Sequence, residues 1–442
     1  MSTRWRTVAV LGVLALVISA CSSSGGSAAP SAAGSAAATT APSVEASAAA
    51  EPVNINWWHV GITDPTKKDF QAIADAYMKD HPNVKVTVTP IENEAFKAKL
   101  QTSMQGGDIP DLFQSWGGGT MAAQADAGKL QDITTAMAPW ASTINPGALS
   151  VYNYNGKQYG VPWDVGIMGM WYNKALFAKA GITAPPTTWD ELLADVDKLQ
   201  AAGITPYALA GKDKWPGMHL WSYLVLRIGG ADQLQQMVQS GNFNTDVCKQ
   251  AGEQVLKLVA KKPFQKGFLN AAYDKGEAAA MGNGQTAMEL MGQWAPAVQA
   301  GNSTSQKGIG ADLAWFPFPT VTGGAGNATD AIGGGNGIAV GKDAPPEAID
   351  FLKFFSDASN AATIGKDAFG LPTTVGTESS VADPNLKQVL DARGKATFIQ
   401  LYLDQATSPS VGAAINDATA GLFAGTSTPE QTCQALTDAS KN

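Results

Sequence analysis

From Val53 onward the chain alternates two periodicities, and this alternation most constrains what it can fold into. Val53-Asn54-Ile55-Asn56-Trp57-Trp58 reads as a strand; Phe70, Ile73, Ala74 and Tyr77 fall on one helical face that Pro82 stops; Val84, Val86 and Val88 return to the two-residue period. Phe96, Leu100 and Met104 mark a second helix, ended by Gly106-Gly107, before the extended run Ile109-Pro110-Asp111-Leu112-Phe113. Strand, helix, strand, helix, strand predicts an α/β fold with a parallel sheet, because parallel neighbours need a crossover and the crossover helix covers the sheet. With 442 residues, 45% of them hydrophobic, the chain can bury two or three domains or one large two-lobed unit.

The same grammar runs through the rest. Asn155-Gly156 between Tyr-rich segments predicts a hairpin turn, and Thr188-Trp189-Asp190-Glu191 a capping box opening a helix through Leu192, Val196 and Leu199. Helices are expected over 246–261, 347–355, 385–390 and 410–423, with a closing helix after Thr428-Pro429-Glu430. No repeat of fixed period is visible.

Before Val53 the composition is of another kind. Arg4 and Arg6 precede an uncharged apolar run from Val8 to Ala20, too short to span a membrane and right for a secretory signal over 1–20. Its end, Ile18-Ser19-Ala20-Cys21, resembles a bacterial lipobox, which implies lipidation of Cys21 and a mature chain anchored outside the cytoplasmic membrane. The stretch 22–50 is almost wholly Ser, Ala, Gly, Thr and Pro and cannot bury enough apolar surface to order itself, so 21–52 reads as a flexible linker. Its random-coil reach is about 30 Å. Lys plus Arg number 30 against 38 Asp plus Glu, a formal charge of −8 that becomes −10 once the signal is lost. Such a body is not built to bind nucleic acid, nor to adhere to anionic lipid without the anchor. Three His and three Cys, with no CxxC or HExxH, predict no metal site and no cofactor. In an oxidising setting Cys248 and Cys433, the cysteines left after Cys21, are expected to form a disulfide, although sequence does not show whether they come within range.

Six short runs then fall in order across the mature body. They are Gly106-Gly107-Asp108-Ile109-Pro110-Asp111-Leu112; Gly160-Val161-Pro162 followed by Trp171-Tyr172-Asn173-Lys174-Ala175-Leu176-Phe177 through Gly181; Thr188-Trp189-Asp190-Glu191-Leu192; Gly292-Gln293-Trp294; Gly333-Gly334-Gly335 leading into Ile338-Ala339-Val340; and Gly370-Leu371-Pro372-Thr373. Together they resemble the extracellular solute-binding proteins of ATP-driven carbohydrate (ABC) importers. The resemblance implies a two-lobed periplasmic-binding-protein-like fold of type II, each lobe a β-sheet flanked by helices, with three inter-lobe crossings. These are placed near 163–166, 315–319 and 370–373, giving one lobe from 53–164 plus 318–370 and another from 165–317 plus 371–442. It also implies a monomer that binds a sugar without transforming it and passes it to permease subunits, with ATP hydrolysis left to a separate cytoplasmic subunit. Where many members carry Arg after the Pro of the third crossing, this chain has Thr373-Thr374, a departure compatible with a neutral ligand.

Side-chain chemistry points the same way. Eleven Trp remain after Trp5 is removed, more than the nine Tyr, and many stand beside Gly, Pro or Asp. A pyranose packs its C–H face on an indole while its hydroxyls need carboxylates, amides and imidazoles. Candidate ligand-binding residues are therefore Trp58, His59, Asp111, Trp116, Trp163, Asp164, Trp215, Glu289, Trp294, Gly335 and Asn336, with Asp164 the favoured polar group. Trp171, Trp189 and Trp315 lie within regular patterns and read as core. Gly333 to Gly337 does not cradle phosphate, since no helix is expected after it and Gly341-Lys342 leads into Asp343, not Ser or Thr. The indoles suggest at least two stacked rings, a di- or oligosaccharide of the xylo, cello, malto or chito type, with xylobiose the first choice. The competing class is a secreted glycoside hydrolase, for which Asp111, Asp164 and Glu289 supply carboxylates.

Overall fold

The computed structural model describes residues 51–441, so the signal, the lipobox with Cys21 and nearly all of the linker lie outside the described residues. The strands are β1 (Val53–His59), β2 (Val84–Pro90), β3 (Leu112–Ser115), β4 (Asn153–Tyr154), β5 (Lys157–Gln158), β6 (Gly160–Ile167), β7 (Gly169–Asn173), β8 (Thr205–Tyr207), β9 (Thr286–Met291), β10 (Leu313–Phe316), β11 (Ala331–Val340) and β12 (Ile399–Leu401).

One sheet has the order β12-β11-β3-β1-β2, with β6 paired to β11. Within it β1 is parallel to both β2 and β3, and helices Thr66–Asp80 and Asn93–Gly106 make the two crossovers, so the opening βαβαβ pattern is realised. The second sheet has the order β10-β7-β9-β8 and is mixed, parallel at β8/β9 and antiparallel elsewhere. β4 and β5 form the hairpin expected at Asn155-Gly156, whose φ values of 51° and 76° give the doubly positive turn that this dipeptide tolerates.

Apolar burial forms two large cores, one for each lobe, and a smaller cluster around Phe96, Phe113, Tyr152 and Ala339 on the first sheet. Ile55, Trp57, Phe70, Tyr77, Val161, Trp163, Ile338 and Phe369 share one core. Ile167, Trp171, Trp189, Trp221, Trp315, Ile332, Leu371 and Leu436 share the other. The chain therefore changes core between 163 and 167, between 332 and 338, and between 369 and 371. The middle crossing expected at 315–319 is corrected by this division: Phe318, Ala331 and Ile332 still pack in the second core, and the chain crosses inside β11. Cys248 and Cys433, on helices Asp246–Ala260 and Pro429–Ala439, are joined in a disulfide with Cα atoms 6.1 Å apart.

One large element has no counterpart in the sequence reading. Trp215–Ser240 is helical with a break at Gly230, and nearly every residue from Trp215 to Arg227 is buried. A helix enclosed all round has no polar face, so it lacks the periodic signal by which surface helices are recognised. Among the described residues no helix is long and apolar enough to cross a membrane.

Candidate functional site

The crossings bring the two lobes face to face over a cleft. From the first side it is lined by Val60, Gly61, Thr66, Phe70, Asn93, Lys97, Gln114, Trp116, Trp163, Asn336 and Phe369, and from the second by Trp215, His219, Tyr273, Asp274, Trp294, Ala297, Val298, Tyr402, Asp404 and Gln405. Gln114 lies near the end of β3 and Trp116 follows it, and Val60 and Gly61 follow β1, so the cleft takes the carboxyl ends of the parallel strands, where such sheets bind ligands.

Backbone geometry sets the indoles. The β6/β11 register slips between Asn336 and Gly337, leaving Trp163 as an extra residue on β6. A bulge of this kind re-aims a side chain. Here it puts the indole on the cleft wall, edge-on to Phe70 at 5.2 Å and against Phe369 at 6.0 Å. Trp215 and His219 are one helical turn apart at the start of the buried helix, rings 5.5 Å apart. From Trp215 an unbroken series of ring contacts reaches Tyr273 on one side (5.0 Å) and, through His219, Tyr402 (5.2 Å) and Trp294 (6.0 Å) on the other. Across the cleft Trp116 packs edge-on against Phe96, with the Lys97 ammonium 5.8 Å from its ring centre and bound to Glu94 at 2.8 Å.

Several polar edges of these rings are unsatisfied. Nε1 of Trp163, Nε1 of Trp215, Nδ1 of His219 and the Tyr402 hydroxyl are buried and have no hydrogen-bond partner among the described residues. Leaving such a group unpaired costs about 1–3 kcal/mol, so a ligand oxygen reaching it gains more than the same bond at a surface. Burial lowers the His219 pKa to about 4, which keeps its imidazole neutral at physiological pH, one nitrogen donating and the other accepting. Asp274 is pushed up to about 6, first by burial and then by the Glu92 charge. Apolar ring faces with donors and acceptors at their rims suit a molecule having C–H faces and a hydroxyl edge.

Of the residues singled out from sequence, the wall brings together Trp116, Trp163, Trp215, Trp294 and Asn336. The others lie elsewhere. Trp58 faces the Lys99 ammonium at 4.0 Å and packs beside the Phe96 cluster. His59 is enclosed by Trp57 and Phe70, its Nδ1 accepting from the Gly61 N–H, and burial lowers its pKa to about 3. Asp111 precedes β3, at the end of the strand away from the cleft, and accepts from the Asn56 N–H at 2.8 Å. Glu289 is fully buried within β9 and accepts from Gln299. Gly335 is pressed against β6, where an added Cβ would stand 1.7 Å from the Asp164 carbonyl oxygen, so its closeness is to backbone. Asp164 is fully buried behind the wall and bonded to Asn336.

Sequence reasoning passed over Phe70, Lys97, Gln114, His219, Tyr273, Asp274, Tyr402 and Asp404. Phe70, on the apolar face of its helix, is both core and wall. The Trp215-x-x-x-His219 spacing was a usable signal, since it stacks an indole and an imidazole on one helical face.

Comparison with known proteins agrees with this geometry. Residues 63–362 match the family described as bacterial extracellular solute-binding protein. The chain belongs to that family. An ABC transporter extracellular-binding protein of Pyrococcus horikoshii, itself uncharacterised, is 31% identical over 301 residues, 65% of this chain and 64% of that one. The melibiose/raffinose/stachyose-binding protein MelE of Bacillus subtilis is 24% identical over 77% of this chain and 79% of its own. The Pyrococcus relative and a multiple sugar-binding protein of Streptococcus mutans are matched over just under two thirds of their lengths. A structure solved in work on xylan utilization by the thermophilic bacterium Caldanaerobius polysaccharolyticus superposes with a TM-score of 0.81 at 27% identity, covering 87% of this chain and 99% of that one. A chitin oligosaccharide binding protein superposes at 0.80 with 23% identity over 88% and 98%, a likeness of fold.

Proposed function

We propose that the protein captures a neutral di- or oligosaccharide outside the cell, in the cleft between its lobes, and delivers it to the permease subunits of an ABC importer whose ATPase is a separate cytoplasmic subunit. The observation that carries this reading is the run of ring contacts with unpaired polar edges: an aromatic surface for sugar C–H faces, rimmed by Nε1 of Trp163 and Trp215, Nδ1 of His219 and the Tyr402 hydroxyl. The protein acts as a monomer, with no cofactor, and closes by rotation of two lobes joined at 163–167, 332–338 and 369–371. Lipidation of Cys21 and the linker to residue 52 hold it on the outer face of the membrane.

Xylobiose and longer xylo-oligosaccharides are the first ligands to test, in keeping with the xylan-related structure at 27% identity. Galactosides of the raffinose type follow, after the named ligands of MelE. The hydrolase alternative drew on Asp111, Asp164 and Glu289, and these do not meet at the cleft wall. Purified protein titrated calorimetrically with a panel of xylo-, cello-, malto-, chito- and raffinose-type sugars should bind at least one and leave it intact by chromatography. Product formation, or no binding to any member, would overturn the proposal.

A further inference from the structure

We infer that Asp164 is a positioning residue: its carboxylate dictates the pattern of donors and acceptors that Asn336 and Gln114 present in the cleft. The inference rests on the sugar-binding reading for its consequence and on hydrogen-bond geometry for its substance.

Asp164 is fully buried at the point where all three crossings run side by side. Its Oδ1 accepts from the Leu371 N–H at 2.6 Å, and its Oδ2 accepts from Gln293 Nε2 at 2.6 Å and from Asn336 Nδ2 at 2.8 Å. Space for this approach is made by glycine, since a Cβ on Gly370 would stand 2.8 Å from Oδ1. A carboxylate can only accept, so Asn336 must turn its NH2 toward Asp164 and its Oδ1 away. That oxygen in turn accepts from Gln114 Nε2 at 2.8 Å, which fixes the second amide and leaves Gln114 Oε1 as an acceptor. Asn336 and Gln114 both line the cleft. One buried charge, which itself lies behind the wall, thus selects one of the two orientations open to each amide.

Protonation removes the selection. Burial raises the Asp164 pKa to about 6, against the lowering effect of its three hydrogen bonds and of the Arg393 charge. Besides Arg393, which donates to the Val165 carbonyl oxygen at 2.6 Å, the ionisable groups around it are Tyr152 and Tyr402, whose own pKa values are raised first by burial and then by its charge. A protonated carboxyl carries an O–H of its own, so its oxygens can no longer serve all three donors, and Asn336 is free to reverse.

The test uses the full chain, Asp164→Asn and Gln114→Glu, with the panel of neutral oligosaccharides titrated between pH 5 and 8. For wild type, affinity for whichever panel sugar binds should fall about tenfold, the scale of one lost hydrogen bond, with a midpoint near pH 6. Asp164→Asn, whose amide can donate or accept, should bind about tenfold more weakly at pH 7.5 and lose the Asp164 part of the pH profile, any dependence left near pH 6 belonging to Asp274 on the cleft wall. Gln114→Glu, which sets an acceptor against Asn336 Oδ1, should weaken binding in the same way. A readout that needs neither ligand nor variant is the side-chain amide NMR resonance of Asn336 and of Gln293 in the free protein, which should titrate together near pH 6. The inference is overturned if those amides do not titrate, or if Asp164→Asn keeps wild-type affinity and pH profile. If wild type binds no panel sugar, the functional reading fails while the amide titration still decides the role of Asp164.

Discussion

Replacing Gly292 by alanine moves the Trp294 platform without removing any of its atoms. Gly292 is not in the positive-φ region, so alanine brings no backbone penalty. Its Cβ would, however, stand 2.1 Å from a carbon of the Trp294 ring. Comfortable carbon contacts are about 3.5–4.0 Å, so the indole must retreat by about 1.5 Å, and a gap of even about 1 Å forfeits up to half of the dispersion well. Truncating a central aromatic anchor typically costs about 2 kcal/mol, so Trp294→Ala should weaken sugar binding about thirtyfold. Gly292→Ala should lose about half of that energy, or about fivefold in affinity. Calorimetric titration of both variants reads the effect, with thermal melts to confirm folding. The control is Trp189→Ala: Trp189 is buried away from the cleft and stacked on Phe318 at 5.7 Å, so it should lower Tm and leave Kd unchanged. If Gly292→Ala binds within twofold of wild type while Trp294→Ala does not, ring position does not matter and the stacking argument is wrong. If both bind within twofold, Trp294 does not touch the sugar.

Other perturbations probe the frame behind the cleft. Arg227 is buried, and its guanidinium donates to the carbonyl oxygens of Phe318, Pro319, Asn327, Ala328 and Asp330 at 2.7–3.2 Å; Arg227→Met should cost about 3–5 kcal/mol in urea denaturation and expose 318–330 to protease, and unchanged stability would refute this role. The Cys248–Cys433 disulfide spans 185 residues, so the double alanine variant should lose about 2–5 kcal/mol of stability with sugar affinity unaltered, and equal denaturation midpoints would contradict it. Glu289, raised by burial from the ordinary 4.5 to about 7, holds a proton in the folded state that the unfolded chain releases, so its contribution to stability is full below about pH 4.5 and declines as pH rises through about 7. Glu289→Gln should flatten that part of the stability profile between pH 5 and 8; an unchanged slope would show that Glu289 does not titrate there.

What the sequence discloses is decided by how local each signal is. The βαβαβ opening, the Asn155-Gly156 turn and the Thr188–Glu191 capping box, in which both reciprocal bonds form, are specified by residues within one or two turns of each other, and each is present. The helix from Trp215 was missed because enclosure on all sides erases its period, and the middle crossing was misplaced because β11 changes lobes within one continuous strand, with no break in pattern to mark it. The cleft draws its rings from segments around residues 70, 116, 163, 215–219, 273, 294 and 402; Trp116, Trp163, Trp215 and Trp294 stand out by the Gly, Pro or Asp close to them, whereas Phe70, Tyr273 and Tyr402 are buried like ordinary core residues. What separates Trp163 and Trp215 from Trp171 is the fate of the indole N–H. In Trp171 it is bonded to the carbonyl oxygens of Met291 and Gly292, whereas in the other two it is left without a partner among the described residues. An unpaired N–H does not suffice by itself, since Trp57 and Trp189 share it deep in the cores. The second requirement is an opposing wall at ligand distance, and that wall comes from the other lobe, beyond the reach of any local sequence pattern. The chemistry of a sugar site is therefore legible in the choice of residues, and its membership is settled by which of them the three crossings bring face to face.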